Sequence, residues 1–188
     1  MLIDPLKAMN AQLRVLLLPG LYSSGPEHWQ SYWEREQPGF RRVEQRDWEM
    51  PVCAEWVEKL DRAIAESPIP AVLVAHSLAC CLVAHWAATR RGPVCGALLV
   101  APSDAEAPGF PYGPRGFSPI PTSRLPFPSV LVASTNDPFL TLPRAERFAA
   151  AWGSRLEVLG PLGHINSDSA LGSWPAGLAL LAELCQRV

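Results

Sequence analysis

The chain has 188 residues, 48% hydrophobic and 18% charged, which is long enough for one domain with a substantial core and too apolar for a disordered chain. Sixteen Lys and Arg stand against eighteen Asp and Glu, a net charge of −2, and without a long run of one sign this excludes the electrostatic footprint of a nucleic-acid binder. No segment approaches the roughly 18 apolar residues of a membrane span. The N-terminal residues hold no apolar stretch of signal-peptide length, so 1–12 read as a loose arm ahead of a domain covering 13–188. The cysteines (Cys53, Cys80, Cys81, Cys95 and Cys185) are odd in number and form no CxxC pair. That pattern argues against a disulfide framework or a zinc site and for free thiols in a reducing cytoplasm.

Apolar runs and amphipathic stretches alternate along the chain. Residues 14–18 form a short apolar run closed by Pro19-Gly20, expected to be a buried strand. Residues 28–36 have helical character, with Trp29 and Trp33 one turn apart on one face. Residues 42–46 read as a weak strand. Residues 55–66 read as a helix, with Trp56, Val57, Leu60 and Ile64 in one apolar stripe. The run 71–75 predicts a fully buried strand followed at once by a helix over 78–90. Strands are expected at 94–101, 130–134 and 156–159, and helices at about 143–152 and 176–186. Six strands, apolar on both faces and mostly separated by helices, predict an α/β fold: a mostly parallel sheet covered on both sides. Ligands in such sheets bind beyond the C-terminal ends of the strands. Residues 102–128 break the pattern with eight prolines, which forbid a long helix. This stretch is expected to be a stiff crossover that also walls a pocket.

Chemistry is most legible where the strand over 71–75 runs into the next helix through Ala75-His76-Ser77-Leu78-Ala79. In a nucleophile elbow a strained strand-to-helix turn thrusts a serine hydroxyl out above the sheet, and small flanking residues let strand and helix approach each other. Alanines hold those flanks here. An ordinary helix N-cap serine fits the motif alone equally well, so a base and an acid must be found elsewhere. Asp137 follows the strand at 130–134 and His164 follows the last strand. Both lie at the same sheet edge as Ser77 and in the order serine, acid, base. Asp104 is the reserve acid, and Asp168 falls after His164 and breaks the order. His76 is expected to point away from the serine's target, and His85 to be a packed or surface histidine. Backbone N–H groups of Leu78 and Leu21 are the candidates for an oxyanion hole, with Gly20 free to adopt angles that aim the amide of Leu21 inward. The same loop lacks the second glycine and the lysine of a phosphate loop. Adjacent Cys80 and Cys81 have no recognised redox spacing.

With these residues in place, the chain resembles the small α/β-hydrolases of the retinoblastoma-binding protein 9 and YdeN-like group. The resemblance runs from about Arg14 to the C-terminus. Its carriers are L-L-L-P-G-L at 16–21, His28-Trp29, R-D-W-x-x-P at 46–51, A-H-S-L-A at 75–79, S-T-N-D-P at 134–138, G-H-I-N at 163–166 and G-x-W-P at 172–175. It implies a compact single-domain serine hydrolase without a separate cap domain, acting on small esters through Ser77, Asp137 and His164. The group usually has glycine where Ala75 and Ala79 stand. In the expected reaction Ser77 attacks an ester or amide carbonyl, His164 takes its proton, Asp137 orients the imidazole, and the amides of Leu78 and Leu21 bind the oxyanion. No metal or organic cofactor is expected. Tyr22, His28, Trp29, Phe110 and Tyr112 are the candidate pocket residues, with Phe117 and Leu21 as further apolar wall. The expected partner is a small ester or a short peptide rather than nucleic acid or membrane. Esterase, thioesterase and peptidase chemistry all remain open, as does a hydrolase-like module that serves protein binding.

Overall fold

A computed structural model describes residues 13–188; the expected N-terminal arm over 1–12 lies outside them. Six strands form one sheet: β1 (Arg14–Leu18), β2 (Phe40–Arg42), β3 (Ala71–His76), β4 (Val94–Val100), β5 (Ser129–Ser134) and β6 (Arg155–Leu159). Their order is β2-β1-β3-β4-β5-β6 and every neighbouring pair is parallel. The helices are α1 (Trp29–Glu36), α2 (Cys53–Ala65), α3 (Leu78–Thr89), α4 (Leu142–Trp152) and α5 (Pro175–Cys185), with a 3-10 turn at Ser167–Ser169. The expected α/β architecture and its strands and helices are present, with ends shifted by one or two residues. The exception is β2, expected at 42–46. It is Phe40 rather than the charged run after it that turns inward, and Phe40 to Arg42 pair with Val15 to Leu17.

Alternating strand residues feed two cores. Val15, Leu17, Val72, Val74, Leu98, Val100, Val130 and Val132 face α1 and α5, while Leu16, Leu18, Leu73, Ala75, Leu99, Leu131 and Ala133 face α2, α3 and α4. This is the period of two expected for a sheet covered on both sides. Helix α3 has an unusual requirement, because nearly all of its residues from Leu78 to Ala87 are buried. A helix apolar all round must be covered on its outer side too. The proline-rich crossover covers it: Phe117, Ile120, Leu125 and Phe127 join the same core as α3, and Phe127 stacks on Trp86. Phe117, expected in the pocket wall, is therefore a core residue, set edge-on against Trp56.

The chain moves from β1 out to β2 and then back across to β3, so the winding direction reverses between β1 and β3. In open parallel sheets that reversal opens a crevice at the C-terminal strand ends. Leu18 and His76 end the two strands there.

On the α5 face, Trp174 lies at the helix N-terminus with its ring over Gly177; a Cβ at Gly177 would come within 2.2 Å of that ring. Alanine favours helix over glycine by about 1 kcal/mol, so an exposed Gly→Ala change would stabilise. Here the overlap with a buried Trp174, which also packs on Trp29 and Trp33, outweighs propensity. Gly177→Ala is expected to lower stability by about 1–3 kcal/mol, read as a fall in the urea midpoint.

Candidate active site

Three loops meet over the β1–β3 crevice. The first carries Ser77. Its backbone has φ 58° and ψ −125°, a conformation that L-residues rarely adopt and that costs energy. Ser77 occupies the N-terminal position of α3, yet its side chain makes no capping bond. The ordinary helix-cap alternative is thereby excluded: the hydroxyl is turned to His164 instead. The alanine flanks do not prevent the turn, since Ala75 and Ala79 are both fully buried where strand and helix meet.

The second and third loops supply Asp137 after β5 and His164 after β6. His164 Nδ1 lies 2.9 and 3.0 Å from the two Asp137 carboxylate oxygens, and its Nε2 lies 2.8 Å from Ser77 Oγ. A nitrogen facing a carboxylate carries the proton, so Nδ1–H donates to Asp137 and Nε2 accepts from Ser77. Asp137 also accepts from the Phe139 N–H at 2.9 Å. Both side chains are nearly inaccessible, at 8% for His164 and 1% for Asp137. Asp104, the reserve acid, is engaged elsewhere, paired with Arg144 at 2.9 Å. Asp168 lies in the 3-10 turn, where its N–H donates to Asn166 Oδ1. His85 is half-buried, with Nε2 donating to the Phe117 carbonyl at 3.0 Å.

The fourth element is the loop after β1. Its path is set by a buried polar network absent from the sequence reading. Gln30 donates to the carbonyls of Leu18 and Val74 and accepts from Ser24 Oγ. Arg42 donates to Ser23 Oγ, the Ser24 carbonyl and Ser31 Oγ while pairing with Glu34. Tyr22 and Ser23, both at φ 64°, are held in that strained path, with Tyr22 N–H donating to the Trp48 carbonyl. Gly20 is needed for space, not for a positive φ: a Cβ there would lie 2.6 Å from Ser77 Cβ and 3.2 Å from Leu78 N. That corrects the expectation that Gly20 serves through its backbone angles. The close approach brings Leu21 beside Leu78. Both line the cavity, and neither backbone N–H has an acceptor among the described residues.

A cavity of about 280 Å³ opens over Ser77, lined by Leu21, Tyr22, His28, Phe110, Pro111 and Phe139 around the polar groups of Ser103, His164 and Asn166. Four of the expected wall residues, Leu21, Tyr22, His28 and Phe110, are thus in place. Two are not. Tyr112 is 99% exposed, standing outward in a stretch of the crossover without helix or strand, next to Gly113 at φ 131°. Trp29 is buried beneath the site, where its indole N–H donates to the Ile165 carbonyl at 2.8 Å. It fixes the His164 loop from below instead of walling the cavity. His76 also differs from expectation. It lines the cavity, and its Nε2–H donates to the His164 carbonyl at 2.9 Å.

The histidines His28 and His76 are both kept neutral. His28 caps α1, with Nδ1 accepting from the Gln30 N–H at 3.2 Å. Burial, followed by the nearby Arg42 charge and then His164, lowers its pKa to about 3. Burial likewise holds His76 well below its ordinary value, assisted by His28 and His164. The thiols behave as packing groups. Burial pushes Cys53 up to about 12 and Cys80 and Cys81 well above the usual range, which removes the thiolate that redox chemistry needs.

An elbow serine hydrogen-bonded to a carboxylate-held histidine, on a six-stranded parallel sheet with no separate cap among the described residues, defines the class as a serine hydrolase of the α/β-hydrolase fold. The comparisons agree: the model of the serine hydrolase family matches residues 15–183, and the chain belongs to that family. Within it the chain is similar to a YdeN-like hydrolase of Pectobacterium atrosepticum, at 34% identity over 97% of this chain and 96% of that one, with a TM-score of 0.88. The ydeN gene product of B. subtilis shares the fold at 15% identity, covering 92% and 98% of the two chains with a TM-score of 0.68. A thioesterase domain from the curacin biosynthetic pathway does so at 14% identity, covering 95% and 92%, with a TM-score of 0.62. No curated protein matches the chain.

Two tests follow from this geometry. Gly20→Ala drives a methyl group into Ser77 and is expected to lower reaction with an active-serine probe by at least about tenfold, since misplacing reacting groups by 1 Å can cost 100-fold. An unchanged probe rate would show that the two loops separate freely. The second test concerns pH. Between about pH 6.5 and the lower native values, the unfolded chain binds protons at His28 and His76 that the native state does not. Stability therefore falls as pH drops below 6.5, by up to about 1.4 kcal/mol per pH unit for each histidine. Urea midpoints at pH 7 and pH 5 should show this. His28→Asn, which retains a capping acceptor, should flatten the dependence by about one proton's worth.

Proposed function

We propose that the protein is a carboxylester hydrolase for small esters with short acyl chains, working through an acyl-enzyme on Ser77. The observation that carries this reading is the continuous Asp137–His164–Ser77 hydrogen-bond chain, with all links between 2.8 and 3.0 Å, at the base of an apolar-walled cavity. His164 Nε2 takes the Ser77 proton as Oγ attacks the carbonyl carbon. The imidazolium that forms is stabilised by Asp137 and then protonates the leaving alkoxide. A water, deprotonated by the same nitrogen, attacks the acyl-enzyme and returns Ser77. The unpaired amides of Leu21 and Leu78 are the groups suited to receive the oxyanion in both halves. Loss of one such donor costs about 3 kcal/mol in comparable sites.

Cavity size supports the substrate class. Drug-sized ligands occupy pockets of about 300–1,000 Å³, so about 280 Å³ suits a smaller molecule. Thioesters and activated amides present the same carbonyl and enter as poorer or better variants of one reaction. The chemistry uses protein groups alone. Five unpaired thiols support a reducing, cytoplasmic setting.

The test is labelling with a fluorophosphonate, which phosphonylates a serine only where a base and an oxyanion site activate it. Wild-type protein is expected to label and Ser77→Ala not to. With p-nitrophenyl esters, kcat/KM is expected to peak at short acyl groups and to fall by at least about tenfold by octanoate, as the chain outgrows the cavity. A folded wild-type protein that does not label would favour the binding-module alternative; a rate that climbs to long chains would overturn the short-acyl assignment.

A further inference from the structure

Ser103 stands just past the C-terminal end of β4, and its hydroxyl oxygen lies 2.7 Å from Ser77 Oγ. It is buried at 5% exposure and lines the cavity. The peptide unit that follows it is held at both of its polar ends: the Ser103 carbonyl accepts from the Cys81 thiol at 3.2 Å, and the Asp104 N–H donates to the Phe139 carbonyl at 3.1 Å. The preceding turn passes through Ala101 at φ 47°.

Proton counting fixes the direction of the contact. Ser77 has one hydroxyl proton, and the neutral His164 ring, with Nδ1–H committed to Asp137, takes it at Nε2. Ser77 Oγ therefore has no proton for Ser103, and the Ser103 hydroxyl is the donor. We propose that Ser103 is a fourth catalytic side chain, beside Ser77, His164 and Asp137, that donates a hydrogen bond to the nucleophilic oxygen and stabilises the negative charge Ser77 Oγ carries as it attacks and as it is expelled. The proposal rests on the hydrolase reading above and adds a residue to it.

The contact is selective for the transition state. A hydrogen bond to an ionised oxygen is roughly twice as strong as one to a neutral oxygen, and only interactions that strengthen in the transition state accelerate the step. During attack the Ser77 O–H bond breaks, its proton goes to His164 Nε2, and a bond forms from Oγ to the carbonyl carbon as the carbonyl electron pair moves to oxygen. During deacylation the Oγ–carbon bond breaks and Oγ recovers a proton from His164. Ser103 keeps its own proton throughout and bonds to Oγ in both passages. Because its hydroxyl is committed to Ser77 and not to substrate, ground-state binding does not involve it.

Ser103→Ala, Ser103→Thr and wild type are compared by fluorophosphonate labelling rate, by steady-state hydrolysis of p-nitrophenyl acetate and by thermal midpoint. Ser103→Ala is expected to lower the labelling rate and kcat by about tenfold, equivalent to about 1.4 kcal/mol, with KM within twofold of wild type. An interaction made only in the transition state lowers kcat and kcat/KM together. Ser103→Thr keeps the hydroxyl and recovers most of the rate. If Ser103→Ala does not fold, Ser103→Cys, a weak donor, provides the same contrast. Rates for Ser103→Ala within twofold of wild type would overturn the proposal. So would equal losses in Ser103→Ala and Ser103→Thr, which would assign the effect to packing. Wild-type protein that fails to label removes the hydrolase reading itself, an outcome distinct from either.

Discussion

The backbone of Ser77, at φ 58° and ψ −125°, is the constraint on which the rest of the site depends. Such a conformation costs on the order of 1–3 kcal/mol and persists only where its surroundings over-determine it. Here they do. The Ser77 N–H donates to Val100 on the adjacent strand and its carbonyl accepts from Cys80. The Cys80 thiol reaches the carbonyls of Ala75 and Val100, and the Gly20 backbone closes the remaining side. Strand β3 is flanked by β1 and β4 and buried along its whole length, so the strained turn stands on a part of the sheet that cannot yield. A side chain as small as alanine at positions 75 and 79 is compatible with this, because the position that admits no Cβ at all is Gly20, across the crevice.

The loops over the sheet are braced against one another as much as against the strands. Asn136 Oδ1 accepts from Gly163 N–H, joining the Asp137 loop to the His164 loop. His76 holds the His164 carbonyl from the elbow, and Trp29 holds the next carbonyl, that of Ile165, from α1. Phe139, beside Asp137, packs edge-on against the His164 ring. The bonds from His76 and Trp29 are buried from water, where an unsatisfied partner is costly, so a shift of the His164 loop is opposed from both sides. A neutral His28 and His76 fit the same logic. Either one, if charged, would sit in a row of three imidazoles beside His164 and would oppose the imidazolium that the proposed reaction generates.

The sheet, its helices and the Ser77, Asp137 and His164 assembly were legible in the sequence because they rest on local signals: apolar runs, helical stripes, and loops that follow strands in a fixed order. The cavity wall was legible only in part, since side-chain direction in an irregular segment depends on turns that composition does not encode. Tyr112 stands outward in an irregular stretch beside a positive-φ glycine, and the stripe shared by Trp29 and Trp33 signalled burial without saying what lay above it. Ser103 carried no motif and became visible only through its 2.7 Å contact with Ser77. The Gln30 and Arg42 network escaped for the opposite reason. On a helix and an edge strand such residues ordinarily face solvent, and only the fold shows that they thread the loop after β1.

The proline-rich crossover joins the two problems of stability and selectivity. Its inner side covers α3, which would otherwise expose an apolar face, and its outer portion supplies Phe110 and Pro111 to the cavity. The wall cannot move without uncovering the core beneath it. Electrostatics add to the hold: Arg144 on α4 pairs with Asp104 and Glu106, and Glu106 accepts from the Ile120 N–H farther along the same crossover. Prolines keep the unfolded ensemble of this stretch restricted, which lowers the entropy cost of ordering it. A wall so anchored gives the cavity a fixed shape. No separate cap covers the cavity among the described residues, and the few polar groups that face it are held by the braced loops.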